Sequence, residues 1–224
     1  MNGMRGHQAA VKVLAISDTE LPHMQNVPYL RRKYHDVDVL ISCGDLSAGY
    51  IEFVASVLNV PVYYVRGNHD TGYALHPPGG DDLHGRIVRF RHLWIAGLEG
   101  CRRYNKGPIQ YDETQMLANV LKLAPWMLWR RMRWHNGVDL MVTHAAPYGI
   151  HDRDDLPHQG FRSFLLLIRW YRPRYFIHGH VDVWDRRDVT STTYLGTQII
   201  NINPVYLLTL DDSLQTERSK AVRP

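Results

Sequence analysis

The 224-residue sequence has only two cysteines, Cys43 and Cys101, so a disulfide framework is excluded. It also has no apolar stretch of about 18 residues, and nothing in it therefore predicts a transmembrane helix. The first ten residues lack the apolar core of a signal peptide, which makes a cytoplasmic, reducing location the expectation. The net charge of +4 is too small to indicate nucleic acid binding by itself.

What the sequence does contain is typical of one globular domain. Hydrophobic residues make up 45% of the chain and charged residues 21%, and the length is sufficient for a sizeable core. Residues 1–10 are predicted to be a flexible tail and residues 211–224 a polar C-terminal tail. Residues 11–210 remain as a single domain.

The first third of the chain alternates between buried strands and helices. Strands are predicted at Val11–Ile16, Val37–Ser42 and Pro61–Val65, where short apolar runs occur. Helical spacing predicts helices between them, around Tyr29–Tyr34 and Tyr50–Leu58. This β-α-β-α-β order predicts a parallel sheet with right-handed crossovers.

More strands are predicted in the rest of the chain. They lie at Ile87–Phe90, Leu93–Ala96, Leu140–Thr143, Tyr175–His178, Thr193–Gly196, Gln198–Asn201 and Val205–Leu210. Short turns between the last of them predict a second, largely antiparallel sheet that faces the first. The predicted architecture is therefore an α/β sandwich of two sheets with helices outside.

Residues 112–135 are unusually rich in tryptophan and arginine. The residues concerned are Trp126, Trp129, Trp134, Arg130, Arg131 and Arg133. Such a helix could lie on a membrane surface or contact an anionic substrate. Its spacing and the lack of a long basic run favour a helix that packs on the sandwich or forms a homodimer interface.

Residue types that bind metal ions follow five of the predicted strands. They are Asp18 and Glu20, Asp45, Asn68 with His69 and Asp70, His144, and His180 with Asp182. Because the carboxyl ends of parallel strands meet at one edge of a sheet, we expect these side chains to lie close together. One such residue is common in a turn, but five successive groups indicate a site.

The same groups resemble the motifs of the calcineurin-like metallophosphoesterase superfamily. That family has Asp-x-His, Gly-Asp, Gly-Asn-His-Asp/Glu, a later His after a strand, and Gly-His-x-His. This sequence has Asp18-Thr19-Glu20, Gly44-Asp45, Gly67-Asn68-His69-Asp70, Thr143-His144 and Gly179-His180-Val181-Asp182. The resemblance extends from residue 11 to about residue 210. It implies a four-layer αββα sandwich of two mixed sheets and hydrolysis of a phosphate ester.

The resemblance also implies a role for each residue. Asp45 would bridge two metal ions. One metal site would be completed by Asn68, His144 and His180, and the other by Asp18, Glu20 and Asp182. His69 would contact the phosphate and protonate the leaving oxygen, and Asp70 would hold the ring of His69 in place. Two metals together would clamp the phosphate and generate hydroxide between them near neutral pH.

Two positions depart from the family pattern, because Glu20 and Asp182 replace histidines. Both fall in the same metal site, which becomes rich in oxygen ligands, so we expect Mn²⁺ and/or Fe, with Mg²⁺ or Zn²⁺ as alternatives. His23 could replace Glu20 as a ligand, although Leu21 and Pro22 would have to turn the chain back. The added negative charge predicts either a preference for phosphodiesters over dianionic monoesters or selection of a trivalent metal.

The expected partner is a small phosphorylated substrate. A non-catalytic metal-binding scaffold on the same fold is the main alternative, but it would have no use for His69. A nuclease is disfavoured by the modest charge and by the lack of a long basic or aromatic groove signal.

Overall fold

The fold is known from a computed structural model, which describes residues 9–134, 137–183, 185 and 187–211. Most of the two predicted tails, 1–10 and 211–224, lies outside these residues, and their character stays a prediction. Across the described ranges, no helix has the length and apolar character needed to cross a membrane.

The described residues form thirteen strands and four α-helices. The strands are β1 (Val11–Ile16), β2 (Val39–Ser42), β3 (Val62–Tyr64), β4 (Asp81–Asp82), β5 (Ile87–Phe90), β6 (Leu93–Leu98), β7 (Cys101–Arg102), β8 (Gln110–Tyr111), β9 (Leu140–Thr143), β10 (Tyr175–His178), β11 (Ser191–Tyr194), β12 (Thr197–Asn201) and β13 (Val205–Leu210). The helices are α1 (Val27–Lys33), α2 (Ala48–Leu58), α3 (Glu113–Trp134) and α4 (Arg162–Tyr171). Short 3₁₀ helices lie at Pro22–Gln25, Asp70–Ala74 and Leu156–His158.

Two large mixed sheets form the centre of the molecule. The first has the order β13-β1-β2-β3-β4, with β13 antiparallel to β1 and the other neighbours parallel. The second has the order β11-β12-β10-β9-β6-β5. The short strands β7 and β8 pair with each other beside them.

The second sheet is not largely antiparallel, and that expectation was wrong. Its four inner strands are parallel, and only β5 and β11 at its edges are antiparallel to their neighbours. The reason is α4, which carries the chain from β9 to β10 and which the sequence did not reveal; parallel neighbours need such a crossover. The last strand, β13, joins the first sheet instead of the second.

Apolar side chains fill three layers, which confirms the αββα sandwich. Val13 and Ala15 of β1 point between the two sheets, whereas Leu14 and Ile16 of the same strand pack against α1 and α2. This alternation follows from the two-residue period of a strand. A third cluster lies between the second sheet and helices α3 and α4. Strands that are apolar on both faces are expected where helices cover the sheets.

The Trp- and Arg-rich segment forms α3, which packs on the outer face of the second sheet. Met116, Val120, Leu123 and Met127 are buried there. Arg130 is also buried and donates a hydrogen bond to Asp139 at 3.1 Å. This face of α3 therefore packs on the sandwich. A homodimer through residues 112–135 stays a prediction.

Candidate metal centre

Four side chains from four loops converge at the carboxyl edge of the two sheets. They are Asp18 after β1, Asp45 after β2, His144 after β9 and His180 after β10. Each offers one ligand atom, and these atoms all lie within 4.8 Å of one another. Asn68 contacts His144, and we call these five residues the convergent group. The structure therefore brings together five of the seven predicted ligands.

Tight turns bring these side chains close. Asp18, Asp45 and His180 have positive φ angles of 62°, 58° and 68°, a conformation that is uncommon for residues other than glycine. A Cβ atom on Gly67 would lie 2.0 Å from Oδ1 of Asp45, and one on Gly179 would lie 1.9 Å from Oγ of Ser17. The glycines of the sequence motifs are therefore needed for close approach of the loops.

His144 is fully buried and oriented by its neighbours. Its Nδ1 lies 2.8 Å from the carbonyl oxygen of Cys43, and its Nε2 lies 3.2 Å from Oδ1 of Asn68 and 3.3 Å from Oδ2 of Asp45. A backbone partner on Nδ1 leaves Nε2 available to a metal ion. Burial lowers the pKa of His144, but the carboxylate of Asp45 outweighs it and the pKa rises to about 9. Burial raises the pKa of Asp45, but His144 outweighs it and the pKa falls to about 2.

His180 is oriented through its other ring nitrogen, Nε2. Its Nε2 lies 2.9 Å from the carbonyl oxygen of Pro157, which leaves Nδ1 for a ligand, and its backbone amide donates to the carboxylate of Asp18 at 2.9 Å. Burial, and then the charge of His144, lower the pKa of His180 to about 3. The ring is therefore neutral, which is the form that binds metals.

Asn68 is held by a residue that the sequence analysis did not identify. Its Nδ2 donates to the phenol oxygen of Tyr104 at 3.2 Å, so its Oδ1 faces His144. Tyr104 lies between β7 and β8, where Oε1 of the buried Gln110 accepts hydrogen bonds from the amides of Tyr104 and Asn105. No motif in the sequence marks this contact, because Tyr104 is 36 positions from Asn68.

Glu20 and Asp182 lie outside the convergent group, and we call them the outlying carboxylates. Oε1 of Glu20 accepts a hydrogen bond from the amide of Ser47, at the start of α2, at 2.9 Å. Oδ1 of Asp182 accepts one from Asn203 at 3.0 Å. His23, the alternative to Glu20, packs its ring edge-on against Tyr29. Metal binding by either carboxylate stays a prediction.

His69 and Asp70 occupy different environments. The side chain of His69 is exposed at the surface beside the convergent group, and its backbone amide donates to Oδ1 of Asp45 at 2.8 Å. Asp70 is buried, and its Oδ2 accepts hydrogen bonds from the amides of Asp45 and Gly67 at 2.8 and 2.7 Å. Burial raises the pKa of Asp70 to about 6. In this structure Asp70 ties two ligand loops together, and its predicted contact with the ring of His69 stays a prediction.

The fold and this cluster of carboxylate and imidazole ligands define an α/β protein with a candidate metal centre. The sequence model of the calcineurin-like phosphoesterases matches residues 11–183. The chain belongs to the calcineurin-like phosphoesterase family.

Similarity to individual proteins is more distant. A UPF0046 protein of Caenorhabditis elegans is 26% identical in an alignment of 200 positions that covers 76% of this chain and 63% of that protein. The match thus spans less than two thirds of the nematode protein. One solved crystal structure has a TM-score of 0.58 and 16% identity, covering 90% of this chain and 100% of its own. At that identity the likeness shows the fold alone.

A weaker structural likeness is to an archaeal phosphodiesterase. Its TM-score is 0.42 at 12% identity, with 90% of this chain and 99% of that chain covered. A score at this level adds nothing to what the fold and the family already show.

Proposed function

We propose that the protein hydrolyses phosphate esters at the convergent group, and that it prefers small phosphodiesters to monoesters. The observation that carries the proposal is the meeting of Asp18, Asp45, His144 and His180 within 4.8 Å. Membership of the phosphoesterase family supports the same reaction class.

The ligand set fits the metal ions that the resemblance implies. Two carboxylates, two imidazoles and one amide oxygen suit Mn²⁺ and/or Fe, with Mg²⁺ or Zn²⁺ as alternatives. Two such ions would supply Lewis-acid polarisation of the phosphate and a water nucleophile that is active at neutral pH. Asp45 faces His144 and also contacts the His69 loop, so it is the residue proposed to serve both ions.

The protein's own groups have separable roles in this proposal. The exposed imidazole of His69 contacts the phosphate and gives a proton to the leaving oxygen, as a general acid does. Pro157 and Cys43 hold the two ligand imidazoles in fixed orientations through their carbonyl oxygens. Fixed ligands lower the reorganisation needed when charge develops in the transition state.

The preference for diesters follows from charge. Asp18 and Asp45 belong to the convergent group, and the outlying carboxylates are proposed to add two more negative charges there. Together these charges would disfavour a dianionic monoester more than a singly charged diester. Asp182 also lines a cavity of about 770 Å³ together with His151 and Asn201. We propose that this cavity accepts the second ester group.

Turnover of two nitrophenyl esters tests this function. With Mn²⁺ present, we expect a higher kcat/KM for bis(nitrophenyl) phosphate than for nitrophenyl phosphate. A clear monoester preference would contradict the diester assignment. Stoichiometric metal binding without hydrolysis of any ester in a broad screen would instead favour the non-catalytic scaffold.

His69→Ala tests the proposed proton donor. We expect activity to fall by about a hundredfold or more, since a general acid contributes on this order. The metal content should stay nearly unchanged, as measured by inductively coupled plasma mass spectrometry. The matched control is His35→Ala, another exposed histidine that lies after α1. Loss of metal from the His69 variant would show that His69 is a ligand and not the acid.

A further inference from the structure

The outward face of α3 carries exposed apolar side chains in a row. Leu121, Leu128, Trp129 and Met132 have the spacing of one helix face, and we call these four residues the outer stripe. Met132 is 74% exposed and Trp129 is 55% exposed. The adjacent helix α4 contributes a further exposed tryptophan, Trp170.

The outer stripe is not needed for the core of the domain. The opposite face of α3 already covers the second sheet with Met116, Val120, Leu123 and Met127. On the other side of the sandwich, α1 and α2 are described over their full lengths and expose no large apolar side chain. The two helical layers therefore differ, and only the layer of α3 and α4 presents an apolar surface.

The same layer is strongly basic. Helices α3 and α4 together contain six lysine and arginine residues, of which Arg130 is buried against Asp139, and a single acidic residue, Glu113. That carboxylate is already engaged, because it accepts hydrogen bonds from Arg102 and from the amides of Arg162 and Ser163. Its charge is thus not available to neutralise the surface around the stripe.

Cations border the outer stripe on both sides. Helical geometry places Lys122 along one side of the stripe and Arg131 along the other. The Nη1 atom of Arg131 donates to the carbonyl oxygen of Arg169 on α4, so its guanidinium lies between the two helices. An apolar stripe with tryptophan, bordered by lysine and arginine, has the composition of a helix that lies in a membrane interface.

We propose that α3 docks on the surface of an anionic lipid bilayer through the outer stripe. The apolar side chains would enter the region between head groups and acyl chains, and the flanking cations would contact lipid phosphates. A second copy of the chain is disfavoured, because two basic faces would oppose each other. A nucleic acid backbone would satisfy the cations but leave the apolar stripe in water. The proposal does not depend on the hydrolytic activity.

Vesicle sedimentation tests the proposal with the full chain. We expect the protein to bind vesicles of phosphatidylcholine with phosphatidylglycerol, and to bind pure phosphatidylcholine at least about tenfold more weakly. The double variant Leu128→Glu, Met132→Glu should lose about tenfold or more in affinity for the anionic vesicles. Its matched control is Leu75→Glu, Leu207→Glu, which alters exposed leucines outside α3 and α4.

A charge reversal separates the contribution of the flanking cations from that of the apolar stripe. Lys122→Glu, Arg131→Glu reverses the two cations that border the outer stripe, and it should weaken binding to anionic vesicles and leave the weak binding to phosphatidylcholine unchanged. Circular dichroism of every variant verifies that the fold is retained. The proposal is overturned if wild-type protein does not sediment with anionic vesicles, or if the stripe variant sediments as the wild type does. A stable wild-type dimer in light scattering that the stripe variant dissolves would assign the face to a second copy instead.

Discussion

The convergent group and the outlying carboxylates are built in different ways, although the sequence motifs place them in one site. The convergent side chains are oriented by backbone carbonyls and amides, and neighbouring glycines allow the loops to approach within contact distance. Glu20 and Asp182 lie on exposed backbone and use their carboxylates as hydrogen bond acceptors for Ser47 and Asn203. Preorganised ligands lose little conformational entropy on binding. We therefore expect one metal ion to bind tightly and a second to bind more weakly.

The largest effect should come from Asp45, the carboxylate proposed to serve both metal ions. Asp45→Asn keeps an acceptor for the amide of His69 but removes the charge that faces His144. We expect kcat/KM for bis(nitrophenyl) phosphate to fall by about a thousandfold, as for loss of a central electrostatic group. Total bound metal should fall as well, as measured by mass spectrometry.

The control for this change is Asp36→Asn, at an exposed aspartate that pairs with Lys12 away from the site. Full metal content in the Asp45 variant would show that Asp45 is not a ligand of both metal ions. The proposed division into a tightly bound and a weakly bound ion that share Asp45 would then be wrong.

A smaller effect is expected from Glu20→Gln and Asp182→Asn. Both substitutions preserve an oxygen acceptor for the present hydrogen bonds and remove only the charge. We expect the affinity for the weaker metal ion to fall about tenfold, while the tighter ion is unaffected. Isothermal titration with Mn²⁺ resolves the two classes.

If both Mn²⁺ binding steps are unchanged in these variants, Glu20 and Asp182 serve only as hydrogen bond acceptors and are not metal ligands. A loss of the tighter ion would also contradict the expectation, because it would place both carboxylates within the convergent group.

The smallest expected effect comes from Tyr104, which touches the site only through Asn68. Tyr104→Phe removes the acceptor that holds the amide nitrogen, so Oδ1 of Asn68 is directed less firmly toward the metal. We expect the affinity for the tighter ion to fall several-fold, up to about tenfold. The control Tyr194→Phe removes a phenol from β11, and an equal loss there would exclude a specific role for Tyr104.

Much of the fold was predictable because short apolar runs mark the strands. The bounds of β1, β5, β9, β10 and β13 agree with the runs in the sequence. Helix α4 was missed, and its start carries no polar N-cap, because Phe161 stands at that position. Missing that helix led directly to the wrong direction of strands in the second sheet.

Only the ligands that closely follow a predicted strand could be placed at the site from the sequence. His144 follows its strand directly, and Asp18, Asp45 and His180 follow theirs within three residues, so the register of the sheets fixes where they meet. The orientation of Asn68 by Tyr104 depends on the path of a loop, which local sequence does not encode. The hydrogen bonds of Asp70 to two backbone amides were equally hidden, since only the loop geometry reveals them.

The buried carboxylate of Asp70 also affects how readily the site opens to solvent. Asp70 accepts hydrogen bonds from the amides of Asp45 and Gly67, which belong to two different loops of the site. Amides in surface loops usually exchange their hydrogen with solvent rapidly, whereas these two can exchange only when the two ligand loops separate. Slow exchange at these positions would therefore mark the ligand loops as part of the cooperative core of the protein.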